Sequence, residues 1–141
     1  MKPAITYVIS GEPVPLARPR IGGPGRFVYD SQKHTKHVII NDLRRQHGDR
    51  PLYSGPCHLE AIYYMRIPKT SIKKRDEMVG TYHIFKPDAD NLCKFTLDVA
   101  SMRTINDEFV LLKDDCIIAS ISVKKIYDLI PRTEFTITEL K

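Results

Sequence analysis

The stretch CHLEAIYYMRI, Cys57 to Ile67, sets Cys57, Leu59, Ala61, Tyr63 and Met65 in alternation with His58, Glu60, Ile62, Tyr64 and Arg66. Successive side chains of a strand point to opposite faces, so a period of two predicts a β-strand. Pro68 should end it, because proline has no N–H to give to a sheet ladder. Tyr63 and Tyr64 then face opposite ways, one inward and one outward. Such a strand needs neighbours on its edges and a layer to cover its apolar face.

Two segments of helical period are candidates for that layer. In DSQKHTKHVIINDLRRQHG, Asp30 to Gly48, the apolar residues are Val38, Ile39 and Leu43; Asp30 or Ser31 is placed to cap the helix and Gly48 to stop it. Its remaining surface is basic, and that face accounts for His34 and His37 better than a zinc site does, since nothing nearby completes the ligand set. From Asn91 to Met102, Leu92, Phe95, Val99 and Met102 recur at helical spacing and should face the core, while Asn91, Lys94 and Asp98 share the other side. KTSIKKRDEM, Lys69 to Met78, reads as a short exposed basic helix capped by Ser71 and closed by Gly80. Further strands are predicted over Ile5 to Ile9, Cys116 to Tyr127 and EFTITEL, Glu134 to Leu140, the last two pairing antiparallel across a turn. The order β, α, β, short α, α, β, β predicts an α+β fold of two layers, with helices on one face of a mostly antiparallel or mixed sheet. A chain of 141 residues, 42% of them hydrophobic, is expected to form a single domain over 1–141.

The balance of 22 Lys+Arg against 17 Asp+Glu gives a formal charge of +5, which suits a polyanionic partner and equally an ordinary basic protein. Gly11 to Gly25 holds four prolines and four glycines with Arg18 and Arg20, a basic loop longer than connection alone requires. Cys57, Cys93 and Cys116 form neither an even disulfide framework nor a CxxC zinc pattern, so they are read as core-facing thiols in a reducing compartment. The start MKPAITYVIS lacks a signal peptide's apolar core, and no apolar run approaches the ~20 residues of a membrane span. The expectation is a soluble, cytoplasmic protein without a membrane partner.

The stretch with most chemistry is KPDADNLCKF, Lys86 to Phe95. Asp88 and Asp90 stand at the mouth of the second long helix. Asp90 as N-cap and Asp88 beside the positive end of the helix dipole explain the pair structurally. A metal site is the alternative: Asp114 and Asp115, just before a predicted strand, offer a third carboxylate, and Mg²⁺ takes hard oxygen ligands. Lys94 is either an i,i+4 ion-pair partner of Asp90 or a cation for a scissile phosphate. Arg18, Arg20, Lys73, Lys74, Arg75 and Lys86 are either solvated surface or the contacts that bring a phosphodiester up to carboxylates.

These residues resemble the RusA family of Holliday junction resolvases. KPDADNLCKFTLDVA is similar to the family's K/R-P-D-x-D-N-L-x-K core followed by a helical aspartate, and KDDCIIASISVKKIY to its second acidic motif. EFTITEL resembles the closing strand, ISGEPVPLARPR with VYDSQKHTKHV the opening and first helix, and RIPKTSIKKRDEM the basic segment before the core. The resemblance covers most of the chain. It implies that Asp88, Asp90 and Asp115 bind the metal and that Lys94 is catalytic. It further implies a homodimer that uses Mg²⁺ or Mn²⁺ to make paired cuts in a four-way DNA junction, in recombination and repair. The segment VASMRTINDEFVLLKD is longer here than in short family members, which leaves Asp107 as an alternative to Asp115. Asp98 and Asp114 are outer ligands or, for Asp98, an ion-pair partner of Lys94. Two other functions stay open: a nuclease of flaps, forks or other branches, and a protein that binds branched DNA without cutting it.

Overall fold

The structure is a computed structural model and describes residues 4–25, 28–104 and 109–140; the side chains of Arg20, Ser71, Ile72 and Lys73 lie outside the description. Asp107 lies outside it too, with Asn106 and Glu108.

The alternating stretch is the long strand β4, Cys57–Arg66, with Cys57, Leu59, Ala61, Tyr63 and Met65 all buried. It is flanked on both edges. β6 (Arg132–Glu139) runs antiparallel to it on one side and β5 (Ile118–Asp128) parallel on the other, while β1 (Ile5–Ser10) pairs antiparallel with β6. The order β1-β6-β4-β5 makes a mixed sheet of four strands. Two-residue strands β2 (Arg20–Ile21) and β3 (Val28–Tyr29) close the basic loop into a separate small ladder. Helices α1 (Lys33–His47) and α3 (Ala89–Ala100) bring Ile40, Leu43, Leu92, Phe95 and Val99 into the core with the inner face of β4. The fold is α+β, as expected.

The expected pairing of the last two strands does not occur, because β4 lies between them. The chain leaves β5 at Asp128, opposite Arg66, and re-enters the sheet at Arg132, opposite Tyr64, so the turn passes over the end of β4. Pro68 makes room by taking β4's chain out of the sheet. Arg132 holds the corner: its guanidinium lies 2.5 Å from both Asp128 and Glu134 and 3.7 Å from the centre of the Tyr64 ring. A short turn joins antiparallel strands whether or not they are neighbours, so the sequence alone does not reveal the strand between them.

The caps also differ. The N-cap of α1 is Gln32, and Asp30 instead accepts from the Gln32 backbone N–H at 2.8 Å; Gly48 stops the helix with a positive φ of 66°. Residues Lys69–Lys74 form a 3-10 turn, and the four-residue helix α2 (Arg75–Met78) follows Lys74, so Ser71 is not at its start. Gly80, φ 83°, turns the chain so that 80–83 run along the outer edge of β5, with Gly80 N–H bonded to the Tyr127 carbonyl and His83 N–H to that of Lys125. Cys57 and Cys93 are buried, but Cys116 is exposed, in a 3-10 turn (Asp115–Ile117) before the sheet begins.

Candidate active site

Helix α3 carries carboxylates at both ends of one face. Its N-cap is Asp88, not Asp90, and the Asp88 carboxylate makes no capping hydrogen bond. It accepts instead from the Lys86 ammonium at 3.1 Å. Asp90, in the first turn, lies 4.0 Å from Lys94. The two acid side chains are 58% and 73% exposed, so neither is committed to holding the helix together. Their charge faces solvent at the positive end of the helix dipole, beside two lysines.

The mouth is nevertheless built firmly. Lys125, from β5, donates to the carbonyls of Phe85 and Pro87, both at 2.7 Å, on either side of the cis Lys86–Pro87 peptide. The backbone N–H of Leu16 reaches the Asn91 carbonyl at 3.3 Å, and Gln32 ties the same loop down through Pro15 and Ala17. The basic loop therefore lies across the first turn of α3, with Arg18 exposed just beyond the attachment. Lys74 and Arg75 are exposed at the start of α2; Arg20 and Lys73 are placed only by their backbone, in β2 and the 3-10 turn.

At the other end the acids have structural partners. Lys36 of α1 is buried, with only 5% of its side chain exposed, and its ammonium bridges Asp30 at 2.5 Å and Asp98 at 2.6 Å. Burial depresses its pKa, but the two carboxylates outweigh burial and raise it overall. The same bond holds Asp30 below the usual carboxylate range. Asp98 is thereby paired with Lys36, across two helices, rather than with Lys94. Asp115, in the 3-10 turn against α3, is pushed above its usual range by its contact with the Asp114 side chain, by desolvation and by the charges of Asp114 and Asp98. Asp114 is held low by the Cys116 backbone N–H that its carboxylate caps.

The structure thus brings Asp88, Asp90, Lys86 and Lys94 together and sets Asp115 with Asp98 and Asp114. Asp90 and Asp98, eight residues apart, are separated by about 12 Å along the helix. Among the described residues no three His, Cys, Asp or Glu side chains are gathered closely enough to hold a metal ion. The pair at the mouth still suits one hard cation, since Mg²⁺ is commonly held by one or two carboxylates and keeps its other positions for water and phosphate oxygens. Two lysines escaped sequence reasoning, and each left a signal. Lys36 lies in register with the buried stripe Ile40, Leu43 and His47, and Lys125 has the parity of Val123 and Tyr127 in its strand. A charged residue on a core-facing position is there to bond something.

The family profile "Endodeoxyribonuclease RusA" matches residues 10–138, which includes the basic loop, both acidic groups and all four strands of the sheet in whole or part. A curated relative, the uncharacterized protein YqaN of Bacillus subtilis (strain 168), is 27% identical over 150 aligned positions that cover 96% of each chain.

Proposed function

The chain belongs to the RusA endodeoxyribonuclease family, and on that premise we propose that it resolves four-way DNA junctions by paired, metal-dependent hydrolysis of phosphodiester bonds, acting as a homodimer. The observation that carries the reading is the helix mouth: two exposed aspartates, the N-cap Asp88 with no capping hydrogen bond from its carboxylate, each beside a lysine, on a corner held by Lys125.

Asp88 and Asp90 would hold Mg²⁺, for which Mn²⁺ substitutes; the RusA motif makes Asp115 the third carboxylate, and from its place beside Asp98 and Asp114 it would reach the ion through water rather than directly. When bound, the ion neutralises phosphate charge and makes water a stronger nucleophile. Lys94 places its ammonium where charge builds on the phosphate as water adds to phosphorus and the bond to the leaving oxygen breaks. Lys86 balances Asp88 and presents a cation to the incoming strand. Arg18, Arg20, Lys73, Lys74 and Arg75 contact backbone phosphates and contribute the salt-dependent part of affinity.

The test is cleavage of a synthetic four-way junction with Mg²⁺, beside linear duplex and flap controls, by wild type and Asp90→Asn. Symmetric paired cuts by wild type alone, with junction binding retained in the variant, are the expected result. Cutting of flaps in preference to junctions would move the assignment to another branched substrate, and tight binding without cutting by wild type would overturn the nuclease assignment.

A further inference from the structure

Next to the helix mouth lies a cavity of about 350 Å³. Its walls come from three distant parts of the chain. Pro13 and Pro15 of the strapped loop, Met65 of β4 and Pro87 of the helix corner are its apolar faces. Its polar groups are Arg66, Lys86 and His83 together with Glu12, which engages Arg66 at 2.9 Å on the rim.

His83 is the informative member. Its backbone is pinned to β5, and its ring rests on Tyr127 at 5.0 Å and meets the edge of Phe85 at 6.1 Å. The Nδ1 atom is buried and has no hydrogen-bond partner. A buried polar atom in this state is the exception in native proteins and calls for an explanation. Burial and the nearby Lys125 charge push the imidazole pKa down, and the ring forms part of the cavity wall.

We propose that this cavity is a subsite for one unstacked nucleotide of the DNA strand whose phosphate lies at Asp88. The inference rests on the nuclease reading and extends it to substrate choice. A phosphate alone would leave most of the space and all of its apolar wall unused, whereas a base with its sugar fills a site of this size and lies against the flat proline faces. Lys86, shared by the cavity and Asp88, is placed to hold the phosphate between the two. A base inside a linear duplex is stacked on both sides and must be pulled out to enter, while a base at a branch is already partly free. The cavity would therefore favour branched over linear DNA by a route separate from the catalytic carboxylates.

The experiment is an equilibrium titration in EDTA, so that no cutting occurs, of four-way junctions in which each nucleotide flanking the branch is replaced in turn by an abasic analogue. One position should weaken wild-type binding about tenfold. His83→Ala should lose a similar factor on the intact junction and show no further loss on the abasic one. His83→Phe, which keeps a ring against Tyr127, supplies the same comparison should the alanine variant not fold, and should cut the response to the abasic position at least threefold. Wild-type affinities all within twofold, or an equal abasic response in wild type and variants, would overturn the subsite. Neither result touches the nuclease assignment, which is judged by cut products with Mg²⁺.

Discussion

The two ends of α3 hold the same residue type in opposite employment. At the N-terminal mouth, Asp88 and Asp90 are exposed, the Asp88 carboxylate makes no capping hydrogen bond, and both stand beside exposed lysines. Toward the C-terminal end, Asp98 is latched to a buried lysine of another helix, Asp114 caps a 3-10 turn and Asp115 is crowded by both. A carboxylate already satisfied by a fixed ammonium or a backbone N–H stabilises the fold but has less charge left to offer a ligand. One held in solvent by a rigid corner contributes little to stability and keeps its charge available. Along a single helix, then, some acids are committed to the fold and others are left available to a ligand.

The strongest test of this division is at the mouth. Asp88→Asn and Asp90→Asn should each lower junction cleavage about a thousandfold or more while leaving the melting temperature and DNA affinity nearly unchanged; a variant that loses stability instead would place that aspartate with the structural group. Asp115→Asn should cost less, roughly 10–100-fold in cleavage, because its neighbours are Asp98 and Asp114 rather than the mouth. Equal losses for Asp115 and Asp90 would erase the distinction between the two ends.

The latch should show the reverse pattern. Lys36→Met leaves Asp30 and Asp98 unpaired and should lower stability by about 1–3 kcal/mol, less than a fully buried broken pair because both carboxylates reach solvent. Denaturant unfolding measures it. Asp30 contributes in the same sense: its folded-state pKa is depressed, so its stabilisation is complete above the ordinary carboxylate pKa and is lost as the pH falls through the depressed value. Acid unfolding of wild type should therefore be steeper than that of Lys36→Met in this range. The smallest effect is expected for Arg18→Ala, a loss of a few-fold in affinity and a salt dependence shallower by about one counterion, with cleavage at saturating DNA unchanged.

Much of this was legible before any fold was known, for reasons that differ from residue to residue. β4 could be read because its alternation is strict over ten residues, and α3 because Leu92, Phe95 and Val99 keep one face buried through three turns. The cap of α3 lies two residues before the Asp90 that local sequence favours, since Asp88 and Asp90 are chemically equivalent as caps and helix ends are the least legible part of an element. Cys116, expected as a core-facing thiol at the start of a strand, is exposed because the chain there is still a 3-10 turn.

Local order along the chain, then, settles what each segment can be: a period of two or of 3.6, a proline that ends a strand, a glycine that permits positive φ, and two acids with a lysine one turn on. These follow from the sterics and polarity of neighbouring residues, which act over a few positions. Which strand lies between β5 and β6, which lysine takes Asp98, and which loop covers the helix mouth depend on residues tens of positions apart competing for the same space and the same hydrogen bonds. Lys36 meets Asp98, and Lys125 meets Pro87, only after the sheet and helices have packed, and it is that packing which leaves Asp88 and Asp90 exposed with only surface lysines beside them.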